Sequence, residues 1–407
     1  MSEAPTLERA VYVPVAPPLT DTDDALAALL PALAASPGPV AVDTERASGF
    51  TYSGRAYLIQ LKTVATGILL LDPIPLSASS LAGLAQALNP KEWVLHAASQ
   101  DLPALRELGL DPARLFDTEL AARLLGRPRV GLGPLLEDVV DVTLAKDHGN
   151  SDWSERPLPD DWLSYAAGDV EFLIELADTL KGELVAAGKA DWAVQEFDHV
   201  LTQPPPAPKP EPWRSTTDIH LVHTRRGLAT VRAIWEARDA IARDLDLAPH
   251  RVVKDRAIAA LAARVTETST GPGRAALQFR EWRRGAARDY PDDFRAAIAA
   301  VDALEEADLP SFKAPRGEAA PSVGLWARKN PAAARRWRTV RPVVRDLAES
   351  LTVPMENLVA PRALRNLLWD PAGLDPASIE QQLAAADVRP WQRALLGPVI
   401  ADALTTV

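Results

Sequence analysis

PVAVDTERASGF, residues 39–50, is the stretch on which the first half of the chain turns. The apolar run PVAV leads straight into Asp43 and Glu45, two carboxylates separated by one residue. Side chains alternate between the two faces of a β-strand, so a strand through this segment puts Asp43 and Glu45 on one face. At a strand end running into solvent the pair is harmless. It gains meaning only where further carboxylates arrive at the same place.

Outward from this stretch, AYLIQLKTV (56–64) and GILLLDP (67–73) have the branched and leucine-rich composition of two more strands, with short polar connections. An antiparallel meander follows. SSLAGLAQALN (79–89) has helical spacing and EWVLHAA (92–98) the composition of a buried strand. LPALRELG (102–109), LFDTELAARLLG (115–126), LGPLLEDVV (132–140) and the long run 162–188 carry apolar residues every three or four positions and are expected to be helices. The order implies an α/β domain, a mixed sheet flanked by helices.

Two further acids stand in informative places. Asp101, in WVLHAASQDLPALRELG, falls between a strand and a helix, where capping the helix that Pro103 starts is the competing explanation. Tyr165 and Asp169, in YAAGDVEFL, stand at i and i+4 and share a helical face about 6 Å apart along the axis. If the helix meets the strand ends, four carboxylates converge. One like-charge pair 4 Å apart costs about 4 kcal/mol at an effective dielectric near 20, so such a cluster makes sense only around cations. Oxygen ligands and a cysteine count of 0 point to Mg²⁺ or Mn²⁺, two of which can clamp both oxygens of a phosphodiester displacement.

The 407 residues exceed what one hydrophobic core supports, and 47% apolar with 24% charged residues is an ordinary globular composition. No apolar run approaches about 18 residues, so a membrane partner is not expected. MSEAPTLERA lacks the pattern of a secretory signal, and a cytoplasmic location is expected. Residues 1–200 hold 30 acidic against 14 basic side chains, a net of −16, whereas 201–407 hold 25 against 30, a net of +5. Phosphate contacts are therefore expected in the second half.

TQPPPAPKPEPW (202–213) is a stiff extended linker by composition, and DLPSFKAPRGEAAPSVG (308–324) is a second break. Five segments result: a catalytic domain 1–201, linker 202–213, a helical module 214–307, linker 308–324 and a helical module 325–407. The two modules share one layout, a long helix, a proline-containing loop and a second helix. A cut near Pro206 is expected to leave a folded, active front fragment.

Weaker candidates for substrate contact are Gln60 on the second strand, Asp117, and Lys146, Asp152, Trp153 and Arg156 in AKDHGNSDWSERPL (145–158). Arg280, Arg283, Arg284 and Arg288 surround Trp282, and Arg336 and Arg338 flank Trp337, a mix of cation and aromatic that suits single strands. Core tryptophans with solvated arginines would look the same. His96, after an apolar strand, is taken as a hydrogen-bonded core histidine.

The order D-x-E on a first strand, HAASQD after a later one and Y-x-x-x-D on a helix resembles the tyrosine branch of the DEDD 3′–5′ exonucleases. LIQL, LFDTELAARLLG, LAKDHGNSDWSERPL and YAAGDVEFL resemble ribonuclease D, over about residues 38–190. The helical modules, about 215–295 and 325–405, resemble HRDC domains more loosely. The resemblance implies a ribonuclease H-like exonuclease fold followed by two all-α HRDC-like domains. It implies Asp43, Glu45, Asp101 and Asp169 as ligands of two divalent ions, Mg²⁺ or Mn²⁺, and Tyr165 as the group that positions the attacking water. A phenol with pKa near 10 is a poor base at neutral pH. The implied activity is trimming of RNA 3′ ends, such as those of tRNA precursors, to nucleoside 5′-monophosphates. A DNA exonuclease would use the same acids, and a catalytically silent scaffold would be expected to have lost one of them.

Overall fold

The computed structural model describes residues 11–144, 148–205, 207–313 and 320–405. Its centre is the meander expected from the sequence: β3 (Val40–Arg46), β4 (Ala56–Thr63) and β5 (Gly67–Leu71) pair antiparallel in succession. The mixed sheet is completed by β6 (Glu92–Leu95), parallel to β3, by β7 (Arg114–Asp117), parallel to β6, and by β2 (Leu19–Thr20), parallel to β5. A separate parallel pair joins β1 (Val11–Tyr12) to β8 (Thr143–Leu144).

Val40, Ala41 and Val42 are all buried, because β3 is an interior strand covered on both faces. Along β4 the alternation sorts residues between two cores. Leu58 joins Leu70, Leu163 and Ala166, while Ile59 and Leu61 join the larger core with Leu26 and Leu84. The larger core takes in α1 (Asp23–Ala35) and α2 (Ala78–Leu88); α3 (Leu102–Glu107), α4 (Thr118–Leu124) and α5 (Leu132–Val139) follow the later strands. The smaller core lies beneath α6 (Asp160–Glu171), which packs on β3, β4 and β5.

Two helical expectations are corrected. Segment 115–126 begins as strand β7 and becomes helix only at Thr118, where Asp117 caps the new helix. The run 162–188 is two helices, since Phe172 (φ −111°, ψ 11°) leaves the helical conformation between α6 and α7 (Leu173–Ala186). Helix α8 (Ala190–Thr202) then leads to the proline-rich linker.

Beyond the linker the described residues are helical. The first module contains α9 (Arg225–Asp244), α10 (Pro249–Val252), α11 (Asp255–Ala262), α12 (Gly271–Ala275) and α13 (Pro291–Asp302). The second contains α14 (Trp326–Lys329), α15 (Pro331–Ser350), α16 (Met355–Leu358), α17 (Pro361–Trp369), α18 (Pro376–Ala385) and α19 (Pro390–Leu404). Helices α9 and α15 are both 20 residues long. Each is followed by a residue of positive φ, Asp246 (46°) and Thr352 (51°), then a single helical turn, then an extended valine. The shared layout expected from the sequence is thus reproduced in the backbone.

The catalytic domain and the second module are in extensive contact despite the linker between them. The second module shares one continuous apolar core with the catalytic sheet. The Trp391 and Trp192 rings stack 4.5 Å apart, and Trp391 Nε1 (2.8 Å) and Arg389 Nε (2.9 Å) both donate to the buried Glu196 carboxylate. Lys189 Nζ donates to the Leu351 carbonyl (2.7 Å) and Thr352 Oγ1 (3.1 Å). No helix among the described residues is long and apolar enough to cross a membrane.

Candidate active site

Asp43 and Glu45 lie opposite Gln60 and Leu58 in the β3–β4 ladder. Directly opposed residues share a face, and Leu58 belongs to the core beneath α6. The two acids therefore point at the helix that carries Tyr165 and Asp169. Carboxylate oxygens of Asp43, Glu45 and Asp169 lie within 4.8 Å of one another. The ladder shifts register between Glu45 and Arg46, so the meander bends where the acids end.

Asp101 is brought towards the β3 acids because β6 runs parallel to β3, with Ala41 paired to Val94, and ends one residue further on at Leu95. After β6 the chain turns through Ala97 (φ 59°) and a single 3₁₀ turn, and Asp101 follows. Its side chain makes no capping bond to α3. Instead it accepts from Thr44 Oγ1 at 3.0 Å and lies 3.6 Å from the Arg46 guanidinium.

Crowding leaves an electrostatic signature. Burial, then the charges of Asp101, Asp169 and Glu45, drives the Asp43 carboxyl well above its usual range. Burial, then Asp169 and Asp101, pushes Glu45 up to about 9. Asp169 is raised to about 7 and Asp101 to about 6, burial being the leading cause in both. Tyr165 hydrogen-bonds Asp169, and burial followed by the charges of Asp169, Glu45 and Asp43 raises its phenol above the ordinary value. It stays protonated and acts as a donor. Converging carboxyls whose pKa values burial and mutual repulsion raise together are a donor set suited to hard divalent cations.

A cavity of about 690 Å³ opens beside Tyr165 and Asp169, lined also by Arg129, Pro134, Asn150 and Ser151. A second, of about 310 Å³, meets the same two residues from the side of Val13, Leu144 and His148. The His148 ring stands edge-on to Tyr165, 5.8 Å between centroids.

The weaker candidates divide. Gln60 is fully buried and donates to Glu45 Oε1 at 3.5 Å, so it supports an acid and does not face substrate. Asp117 is buried as the cap of α4, accepting the backbone N–H groups of Glu119, Leu120, Ala97 and Ala98. Trp153 is fully buried against Trp162 and has no face free for a base. Arg156 is held by both oxygens of Asp72 and by the Tyr57 carbonyl. Asp152 bonds the backbone N–H and hydroxyl of Ser154. Lys146 lies outside the described residues.

In the helical modules Trp282 is core, packed on Phe294, while Arg280, Arg283, Arg284 and Arg288 are exposed. Arg336 is spent on the carbonyls of Leu368 and Trp369, while its neighbour Arg338 is exposed. His96 bonds Thr118 Oγ1 at 2.9 Å, and burial lowers its pKa to about 4, as befits a neutral structural histidine. Sequence reasoning missed Thr44 and Arg46, which tether Asp101, although both stand inside the opening DTER.

An acidic cluster closed by a helix bearing a hydroxyl donor, on a mixed sheet of this order, defines the 3′–5′ exonuclease class. Residues 18–185 match the description "3'-5' exonuclease", 227–270 "HRDC domain" and 319–404 "3' to 5' exonuclease C-terminal domain". The second helical module thus answers to a different description from the HRDC expected of it.

Ribonuclease D of Acidiphilium cryptum is 33% identical over 319 residues, 76% of this chain and 79% of that one. A protein from Bifidobacterium adolescentis, known from its crystal structure, superposes with a TM-score of 0.88 at 33% identity, covering 98% of this chain and 100% of that one. Escherichia coli RNase D, described as an exoribonuclease involved in structured RNA processing, superposes with a TM-score of 0.68 at 25% identity, over 96% and 98% of the two chains. The chain belongs to the ribonuclease D family of metal-dependent 3′–5′ exoribonucleases.

Proposed function

We propose that the chain trims RNA 3′ ends one nucleotide at a time, releasing nucleoside 5′-monophosphates, and that its substrates are stable RNAs such as tRNA precursors. Asp43, Glu45, Asp101 and Asp169 would hold two divalent cations, Mg²⁺ or Mn²⁺. Bound there, such a pair supplies positive charge for the attacking and leaving oxygens of the phosphodiester. Thr44 and Arg46 hold Asp101 in place, and Gln60 holds Glu45. Tyr165 donates its proton toward Asp169 and orients the attacking water; a phenol kept protonated by its surroundings is a director and not a base.

The observation that carries this reading is the convergence of Asp43, Glu45 and Asp169 oxygens within 4.8 Å beside the Tyr165 hydroxyl. Within the proposed organisation, linkers 202–213 and 308–324 separate the catalytic domain from the two modules, and the exposed Arg280, Arg283, Arg284 and Arg338 touch the RNA backbone. We place the protein in the cytoplasm.

The test is side-by-side digestion of matched RNA and DNA strands with Mg²⁺ and with Mn²⁺, products identified by mass. Nucleoside 5′-monophosphates released stepwise from the RNA 3′ end are expected. Preference for the DNA strand would reassign the substrate, since the four acids do not sense the sugar.

A further inference from the structure

The segment that follows the two acids of β3 is held from outside the catalytic domain. Ser53 donates its backbone N–H (2.8 Å) and its hydroxyl (3.1 Å) to the two carboxylate oxygens of Asp246, and Arg55 adds a third bond at 3.3 Å. Tyr52 donates to Asp239 at 3.1 Å and accepts from Arg243 at 3.1 Å. The Ala248 N–H donates to the Phe50 carbonyl (2.9 Å) and Arg251 Nε to the Gly49 carbonyl (3.1 Å), with the Arg251 guanidinium 4.2 Å from the centre of the Phe50 ring. These partners lie at the end of α9, in the turn after it and in α10.

The hold is transmitted inward. The N–H groups of Phe50 and Thr51 both return to the Ala47 carbonyl, so residues 47–51 form a tight turn closed on itself. Ala47 is buried with Tyr57, Trp153, Leu163 and Ala166, and against this same cluster pack the Phe50 ring on one side and the Tyr165 ring on another. The turn joins Arg46, tether of Asp101, to β4, whose Gln60 supports Glu45. Displacement of the turn reaches three members of the site through short covalent or packed paths.

We propose that the first helical module is a positioning device for the active site: the Asp246 carboxylate, by fixing Ser53 and Arg55, sets the register of Ala47–Arg55 and thereby the placement of Arg46 and Tyr165. The proposal rests on the exonuclease reading. It differs from a role as an RNA-binding arm, because it acts on every substrate, including one too short to touch the module.

Asp246 has a positive φ of 46°, a backbone that glycine and asparagine adopt with little cost. Asp246→Gly in the full chain therefore removes the carboxylate without straining the turn, and Asp246→Asn keeps one acceptor. Turnover is measured on an RNA dinucleotide and on a long single strand, with thermal stability and amide exchange of residues 47–55 read on the same samples.

The expected result is a fall in kcat of about tenfold to a hundredfold for Asp246→Gly on both substrates. KM for the long strand should stay within about twofold, exchange at 47–55 should quicken, and Asp246→Asn should recover most of the rate. Unchanged dinucleotide turnover with a raised KM for the long strand would overturn the proposal and make the module a binding arm. Equal rate losses for Asp246→Gly and for Thr352→Gly in the second module would overturn it in favour of general destabilisation. If the wild-type chain cleaves neither strand, the exonuclease reading fails, while unaltered exchange at 47–55 would separately refute the hold.

Discussion

The two helical modules share a backbone plan and use the same turn to meet the catalytic domain, yet they meet it in opposite ways. In the first, Asp246 at the positive-φ position grips Ser53 and Arg55 through polar bonds, on the segment that joins β3 to β4. In the second, Thr352 at the matching position receives Lys189, and its carbonyl lies where any side chain on Gly126 would have to stand. Around that contact the second module merges its core with the catalytic sheet. A polar clasp can shift with little loss of stability, whereas a shared apolar core cannot be divided without exposing it. One plan thus serves as adjustable support in one place and as structure in the other.

Removal of the second module should produce the largest effect. A chain ending at 313 keeps the first module but bares the α8 face that Trp391 covers, and we expect it to lose cooperative unfolding, checked by thermal melting and near-UV circular dichroism. A well-folded fragment would break the contrast. Trp391→Ala should cost about 3–5 kcal/mol of stability while leaving turnover per folded molecule near wild type, since Trp391 lies against Trp192 and Glu196 and not against the acids.

Tyr165→Phe keeps the ring in its cluster and deletes the donor to Asp169. Single-turnover cleavage should slow by about tenfold or more with RNA affinity little changed; a rate within a factor of two would reduce Tyr165 to packing. The smallest effect concerns the exposed arginines. Replacing Arg280, Arg283 and Arg284 together by alanine should flatten the log–log salt dependence of RNA binding by about two units, at about 0.7 per phosphate contact. Arg336→Ala should leave that slope alone and lower the melting temperature instead, because its guanidinium holds the carbonyls of Leu368 and Trp369.

Why four of the five proposed site residues could be read locally and other contacts could not follows from the range of the signal. Asp43 and Glu45 share a face by strand alternation, and Tyr165 and Asp169 by helical spacing; both periodicities are local. Asp101 depends on the parallel β3–β6 pairing, which no local pattern reveals; its role in the reading came from the resemblance alone. Arg156 and Trp153 misled because residue type does not reveal direction: Arg156 turns inward to Asp72, distant in sequence, and Trp153 is sealed under α6. Asp117 was credited to the site when its four backbone donors make it a cap. The proline-rich linker reads locally as a divider, and nothing near it announces that Trp391 will return to stack on Trp192.

The central claim, that four crowded carboxyls are a cation site built for hydrolysis, is tested most directly by Asp43→Asn, which keeps the side chain's shape and removes the ionisable carboxyl. Melting temperature with chelator present and RNA hydrolysis with Mg²⁺ or Mn²⁺ are measured on the same protein. A metal-free melting temperature higher than wild type is predicted, because the cost of burying a carboxyl and crowding it against Asp101, Asp169 and Glu45 is removed, together with a much smaller rise on adding the ion and loss of nearly all hydrolysis. An unchanged melting temperature with more than about a tenth of wild-type activity in both ions would contradict it and remove Asp43 from the site.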